Sequence, residues 1–217
     1  MSARALPLLA LLFLAAPANA QTLGVVEDAD WRALRVHCQQ LVKNLKALDA
    51  ALPGATLEAL EPLLKQQKPD DPAAACRAVQ KLLDTHCLLG VNVNPESRVK
   101  AARGPRKAEL LLDQAAFVLV KVHNDGGVTH ALSADSPQKL SPRAKEKDAE
   151  RWLEVTVLND RPFANRLSGD KVEYRVLKLT PRQPGKREAT LAFDVGQGSQ
   201  DMGFRAEVPV LFVVKKR

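Results

Sequence analysis

Two hydrophobic periods divide the chain. From Trp31 the apolar positions recur every three or four residues: Trp31, Leu34, Cys38, Leu41, Leu45, Leu48 and Leu52. That spacing puts seven side chains on one stripe of a helix. Asp28 or Asp30 is suited to cap its start, and Pro53-Gly54 stops it. A shorter second helix is expected from Thr56, with Leu57, Leu60, Leu63 and Leu64, although Pro62 is out of place beyond a first turn. Asp71-Pro72 reads as an N-cap followed by proline at the first helical position. The third helix is expected to run to about Leu88, with Cys76, Val79, Leu83 and Cys87 on one face. Three amphipathic helices with short loops predict a small antiparallel bundle.

Beyond a Pro-, Gly- and base-rich stretch (95–107, PESRVKAARGPRK) the period falls to two. Val118, Val120 and Val122 alternate with Phe117, Leu119 and Lys121; Leu153, Val155 and Val157 alternate with Trp152, Glu154 and Thr156. Ala189, Leu191, Phe193 and Val195 form another such set, and Val208, Val210, Phe212 and Val214 the last. Weaker strands fit 109–113, 128–133, 163–168 and 172–179, and 133–150 reads as a long polar loop. Seven or eight short strands with Gly and Pro turns predict an antiparallel β-sandwich of immunoglobulin-like type. The fold class expected is α+β, with a helical unit at 21–92, a basic linker at 93–108 and the sandwich at 109–217.

Residues 1–20 carry Arg4, an apolar run over 6–16 and Ala18-Asn19-Ala20, the pattern of a secretory signal peptide cut before Gln21. The run is short for a membrane span, and no later stretch approaches 18 apolar residues, so no transmembrane segment is expected after cleavage. The expected compartment is periplasmic or extracellular, and oxidising. The chain carries a formal charge of +7, unevenly spread: residues 21–90 hold eight bases and nine acids, and 91–217 twenty-three bases and sixteen acids. A secreted basic chain points to acidic glycan or an anionic envelope partner rather than nucleic acid, and dispersed solubilising charge is the plainer reading. Six Phe, two Trp and one Tyr are few for a sugar- or base-stacking platform.

Four segments carry a resemblance: 89–105 (LGVNVNPESRVKAARGP), 117–129 (FVLVKVHNDGGVT), 151–153 and 185–212 (GKREATLAFDVGQGSQDMGFRAEVPVLF). Together they resemble a recurring N-terminal region of large secreted bacterial metallohydrolases of the CehA/McbA, PHP-like type, over roughly 85–214. In those proteins the region precedes further β modules and a metal-dependent hydrolase domain. The resemblance implies an accessory β domain without the catalyst, in a shortened paralogue or one part of a split hydrolase. That family's metal centre includes a His-x-His pair. His37, His86, His123 and His130 form none, so no catalytic residue is carried over.

The residues themselves offer few sites. Cys76 and Cys87, eleven apart on one expected helix, lie roughly 16 Å from each other. A disulfide therefore has to use Cys38, with Cys87 preferred over Cys76. His37-Cys38 and His86-Cys87 raise a zinc or copper site, although neighbours on a helix diverge by about 100° and no standard ligand spacing is present. In the loop from Asp194 to Gly203, Asp194, Ser199 and Asp201 are candidate calcium ligands, with a glycine-rich hairpin as the plainer reading. His123 and His130 flank a turn and are expected to face each other across it. No nucleophile has a defined base or elbow motif. Arg98, Lys100, Arg103, Arg106 and Lys107 form the densest basic run, suited to an anionic partner. The expectation is a secreted, non-enzymatic accessory module without cofactor, binding an envelope protein or extracellular polymer. A binding module for acidic glycan, or a metal-binding protein using the His-Cys pairs, are the alternatives.

Overall fold

A computed structural model of the chain describes residues 22–140, 150–196 and 204–216. The signal-like residues 1–20, the middle of the polar loop, and Ser199 and Asp201 lie outside the described residues. Among the described residues three helices precede nine strands: α1 (Trp31–Ala47), α2 (Gly54–Lys65), α3 (Pro72–Asp84), β1 (Cys87–Val93), β2 (Val99–Arg103), β3 (Glu109–Leu111), β4 (Ala116–Asn124), β5 (Ser133–Asp135), β6 (Leu153–Val157), β7 (Val172–Pro181), β8 (Gly185–Asp194) and β9 (Arg205–Lys215). No helix among the described residues is long and apolar enough to cross a membrane.

The helix signals act through their expected chemistry. Asp30 and Asp71 accept backbone N–H bonds from Ala33 at 2.7 Å and Ala74 at 2.8 Å, each satisfying an otherwise unpaired donor of the first turn. The α1 stripe is buried at Trp31, Leu34, Cys38, Leu41 and Leu45. The helix ends before Leu48, earlier than Pro53 demands, where Asp49 turns left-handed at φ 53°. Pro53, not Thr56, occupies the N-cap position of α2, and Pro62 sits inside that helix on its exposed side. Carbonyls at the end of α2 are taken up by α1: Gln39 Nε2 donates to Leu64 O at 2.8 Å, and Trp31 Nε1 to the C-cap carbonyl, Gln66 O, at 3.2 Å.

The third helix is shorter than expected. It stops at Asp84, and Cys87 begins β1. Leu83 and Cys87 keep helical spacing by coincidence, because Cys87, Leu88, Leu89, Val91 and Val93 are all buried in a strand covered on both faces. Such a strand loses the two-residue alternation that separates strand from helix in a sequence. The stretch expected as linker contains β2, which pairs with β1 from Val93↔Val99 to Leu89↔Arg103. The polar loop begins with β5, whereas 128–133 and 163–168 supply no further strand before or between these elements.

The strands form two sheets, in the orders β2-β1-β4-β7-β6 and β3-β9-β8-β5. Both are mixed, which corrects the antiparallel expectation: β1 runs parallel to β4 and β3 parallel to β9. Parallel partners need a long crossover, and these pairs are joined by whole elements rather than hairpins, which local turn signals do not reveal. β8 and β9 form the long antiparallel hairpin, in register from Gly185↔Val214 to Asp194↔Arg205.

Alternation along β4 and β7 assigns side chains to two different cores. Val118, Val120, Val122, Leu177 and Leu179 join one apolar cluster with Leu191, Phe193, Val210 and Phe212 of the second sheet. Leu119, Val172, Tyr174 and Val176 join another with Leu34, Cys38, Leu41, Val79 and Leu83 of the helices. The five-stranded sheet is thus packed by helices on one face and by the second sheet on the other.

Candidate functional site

The helix–sheet layer carries buried polar chemistry. Lys121 is buried and donates from Nζ to Asp84 Oδ2 at 2.7 Å and to Gly24 O at 2.8 Å. Tyr174 Oη donates to Asp84 Oδ1 at 2.9 Å. Burial pushes the Asp84 carboxyl up, with the Lys121 ammonium opposing that shift, and burial pushes the Tyr174 hydroxyl well up. Gln80 clamps the N-terminal segment beside this pair, its amide accepting from Val26 N and donating to Val26 O, both at 2.9 Å. The signal for this network is a lysine inside the apolar run FVLVKVH, which is costly to bury unless paired.

His37 fixes α1 to the same sheet. Its Nε2 accepts from Tyr174 N at 2.8 Å, so the ring proton sits on Nδ1. The pairing of β6 with β7 begins only at Leu177, and His37 takes the free backbone edge that this leaves. Burial holds the His37 imidazole down at about 4; Tyr174 backbone hydrogen bonding raises it, Arg175 lowers it and Asp170 raises it, all by less than burial. His86 has another partner, with its Nε2 2.8 Å from Thr56 Oγ1; burial and then Arg106 lower its affinity for a proton.

The two His-Cys pairs therefore serve separate contacts. Cys38, Cys76 and Cys87 are buried free thiols, all pushed up by burial. Cys76 Sγ donates to Ala29 O at 3.3 Å and Cys87 Sγ to Leu83 O at 3.5 Å. The rule that confined any bridge to Cys38 fails, because Cys76 and Cys87 are not on one helix. Among the described residues, no three His, Cys, Asp or Glu side chains group to hold a metal ion. Asp194 accepts from Ser133 Oγ and, at 3.0 Å, from Gly196 N, so its oxygens tie down a turn. His123 lies 2.9 Å from Asn92 Nδ2, whereas His130 packs against Gly196, so the two do not pair across their turn.

The basic run divides. Arg98 is exposed and paired with Glu96 at 3.1 Å, and Lys100 and Lys107 are exposed along and just after the edge strand β2. Arg103 turns inward, donating from Nη1 to Leu88 O and from Nη2 to Arg106 O, the latter at 2.8 Å. Arg106 Nη1 donates to Phe117 O at 3.2 Å.

Two concavities flank these residues. One, of about 660 Å³, is lined by the loop from Leu48 to Pro53, by His86 and Arg106, and by Gln114, Ala115 and Phe117. The other, of about 580 Å³, lies between the N-terminal segment and the β1–β2 edge and includes Leu23, Asn92, Lys100 and His123. Both fall within the size range of small-ligand sites. No known protein-family model matches the chain, and no curated protein matches it significantly.

Proposed function

We propose that the chain is a secreted, non-catalytic interaction module of the periplasm or extracellular space, binding an envelope protein through the basic edge of its five-stranded sheet. The observation that carries this reading is the division of the basic run. Arg98, Lys100 and Lys107 stay in solvent at an edge strand, while Arg103 and Arg106 bond the backbone beneath them. A rigidly backed row of cations at a sheet edge suits an acidic surface, steering association and setting register more than adding raw affinity. We read the β part as an immunoglobulin-like sandwich with an added helical layer; two sheets sharing one apolar cluster support that reading. The resemblance of 89–105, 117–129 and 185–212 to the non-catalytic region of CehA/McbA-type hydrolases supports an accessory role.

The test is capture from native envelope extract by the chain carrying a C-terminal tag, with washes at low and high salt. The expected result is one protein retained near one-to-one through high salt, and weakened at least tenfold by the double variant Lys100→Glu/Lys107→Glu. Acidic polysaccharide that leaves with salt would assign the edge to an electrostatic glycan binder instead. Retention of nothing, or of the same protein unaffected by the double variant, overturns the assignment to this edge.

A further inference from the structure

We infer that the 660 Å³ pocket beside Arg106 is a binding site for a small organic monocarboxylate. Arg106 is partly buried between the helices and the sheet, and burial weakens its hold on its proton. Among the described residues its guanidinium forms no ion pair and a single hydrogen bond, from Nη1 to Phe117 O. Arg175, buried on β7, has Glu173 at 3.9 Å and Asn159 Oδ1 at 2.7 Å, and the partly buried Arg103 donates to two carbonyls, Leu88 O and Arg106 O. A desolvated cation without a counter-anion is costly, and a bound carboxylate removes that cost through two parallel N–H···O bonds.

The surroundings select the kind of anion. His86 lines the same pocket and lies close enough for Arg106 to depress its affinity for a proton. It therefore stays neutral at pH 7 and offers a hydrogen bond, not a second charge. Its Nε2 is engaged with Thr56, leaving Nδ1 as the other ring position. Asp49 stands exposed at the rim and repels a second negative charge. One cation, one neutral imidazole and one rim carboxylate suit a monoanion better than a phosphate dianion. Phe117 and Leu48 are only partly buried and offer apolar contact to the body of the ligand. The wall is held in place, because Arg103 bonds the Arg106 carbonyl and Cys87 O accepts from Arg106 N at 3.1 Å. This inference does not depend on the basic edge, and the two fail separately.

The probes are glucuronate and benzoate, each titrated to 50 mM into the full chain at pH 7 and constant ionic strength, followed by amide chemical shifts. The expected result is saturable movement of resonances at 48–53, His86, Arg106 and 114–117 with at least one probe. The His86 titration midpoint should rise when the probe is bound. Arg106→Gln should weaken binding at least tenfold, and Arg106→Lys by less. Ala115→Leu, which narrows the pocket while leaving Arg106 in place, should also weaken it if Arg106→Gln proves misfolded. No saturable movement with either probe overturns the inference. So do shifts confined to Arg98, Lys100 and Lys107, or binding unchanged in both Arg106→Gln and Ala115→Leu.

Discussion

Lowering the pH from 7.5 to 4.5 loads the contact by which His37 holds α1 to β7. The imidazole accepts from Tyr174 N, which requires an unprotonated Nε2. The unfolded chain takes up this proton near 6.5, whereas the folded chain does so only near 4. Between those values the unfolded state binds more protons, so this contribution is fully present above 6.5 and is lost as pH falls through 6.5 towards 4. Each tenfold change in proton affinity is worth about 1.4 kcal/mol, which sets a ceiling of about 3 kcal/mol. The ring is partly exposed, so solvent screening reduces this to about 2 kcal/mol. The Tyr174 carbonyl, 3.0 Å from Nε2, offsets some of the loss by accepting from the protonated ring. The assay is urea unfolding at half-unit steps of pH, for the native chain and His37→Gln, with the His37 ring titration followed by NMR. His86 shifts in the same direction, so the difference between the two chains isolates His37. The native chain should lose about 2 kcal/mol more than the variant between pH 7 and 4.5. A His37 midpoint above 6, or parallel stability curves, would refute the reasoning.

Three further outcomes follow from other contacts. Lys121→Met leaves Asp84 buried without its ammonium and should cost about 3–5 kcal/mol at pH 7 in urea unfolding; Lys121→Met/Asp84→Leu should recover at least half of that. Gly104→Ala places a Cβ 2.3 Å from Cys87 O, where β1 and β2 close together, and should cost about 1–3 kcal/mol, read as a lower thermal midpoint. Cys38, Cys76 and Cys87 should all resist a water-soluble thiol reagent in the folded chain at pH 8 and react together on unfolding; rapid modification of one without loss of structure would contradict their burial.

Much of the fold was legible where a local signal has a local cause. Asp30 and Asp71-Pro72 cap the helices they were expected to cap, since an N-cap needs only its own next three residues. The strands at 116–124, 153–157, 185–194 and 205–215 lie where alternation placed them, give or take their ends, and β7 covers the weaker strand expected at 172–179. Legibility failed at Cys87, where burial on both faces erases the strand period, and at β2, whose Lys, Ala and Arg look like a linker until β1 pairs with them. The candidate sites fared unevenly. The basic run was identified as a unit, but its division into Arg98, Lys100 and Lys107 outside and Arg103 and Arg106 inside depends on where the chain turns after β2. Asp84, Lys121 and Tyr174 were missed together, because no spacing links three residues on three different elements.

The sequence alone determined that helices precede strands, where α1 and α3 start, and the change of period from helix to strand. These are settled by propensity, capping and patterning over a few residues. Tertiary structure alone decided that β1 runs parallel to β4, that both faces of β4 and β7 are covered, and that Arg106 and His86 share one pocket. The physical reason is range: burial and charge pairing depend on which distant segments meet, and the same Lys121 is a solvated cation or a buried ion pair according to whether α3 lies over it.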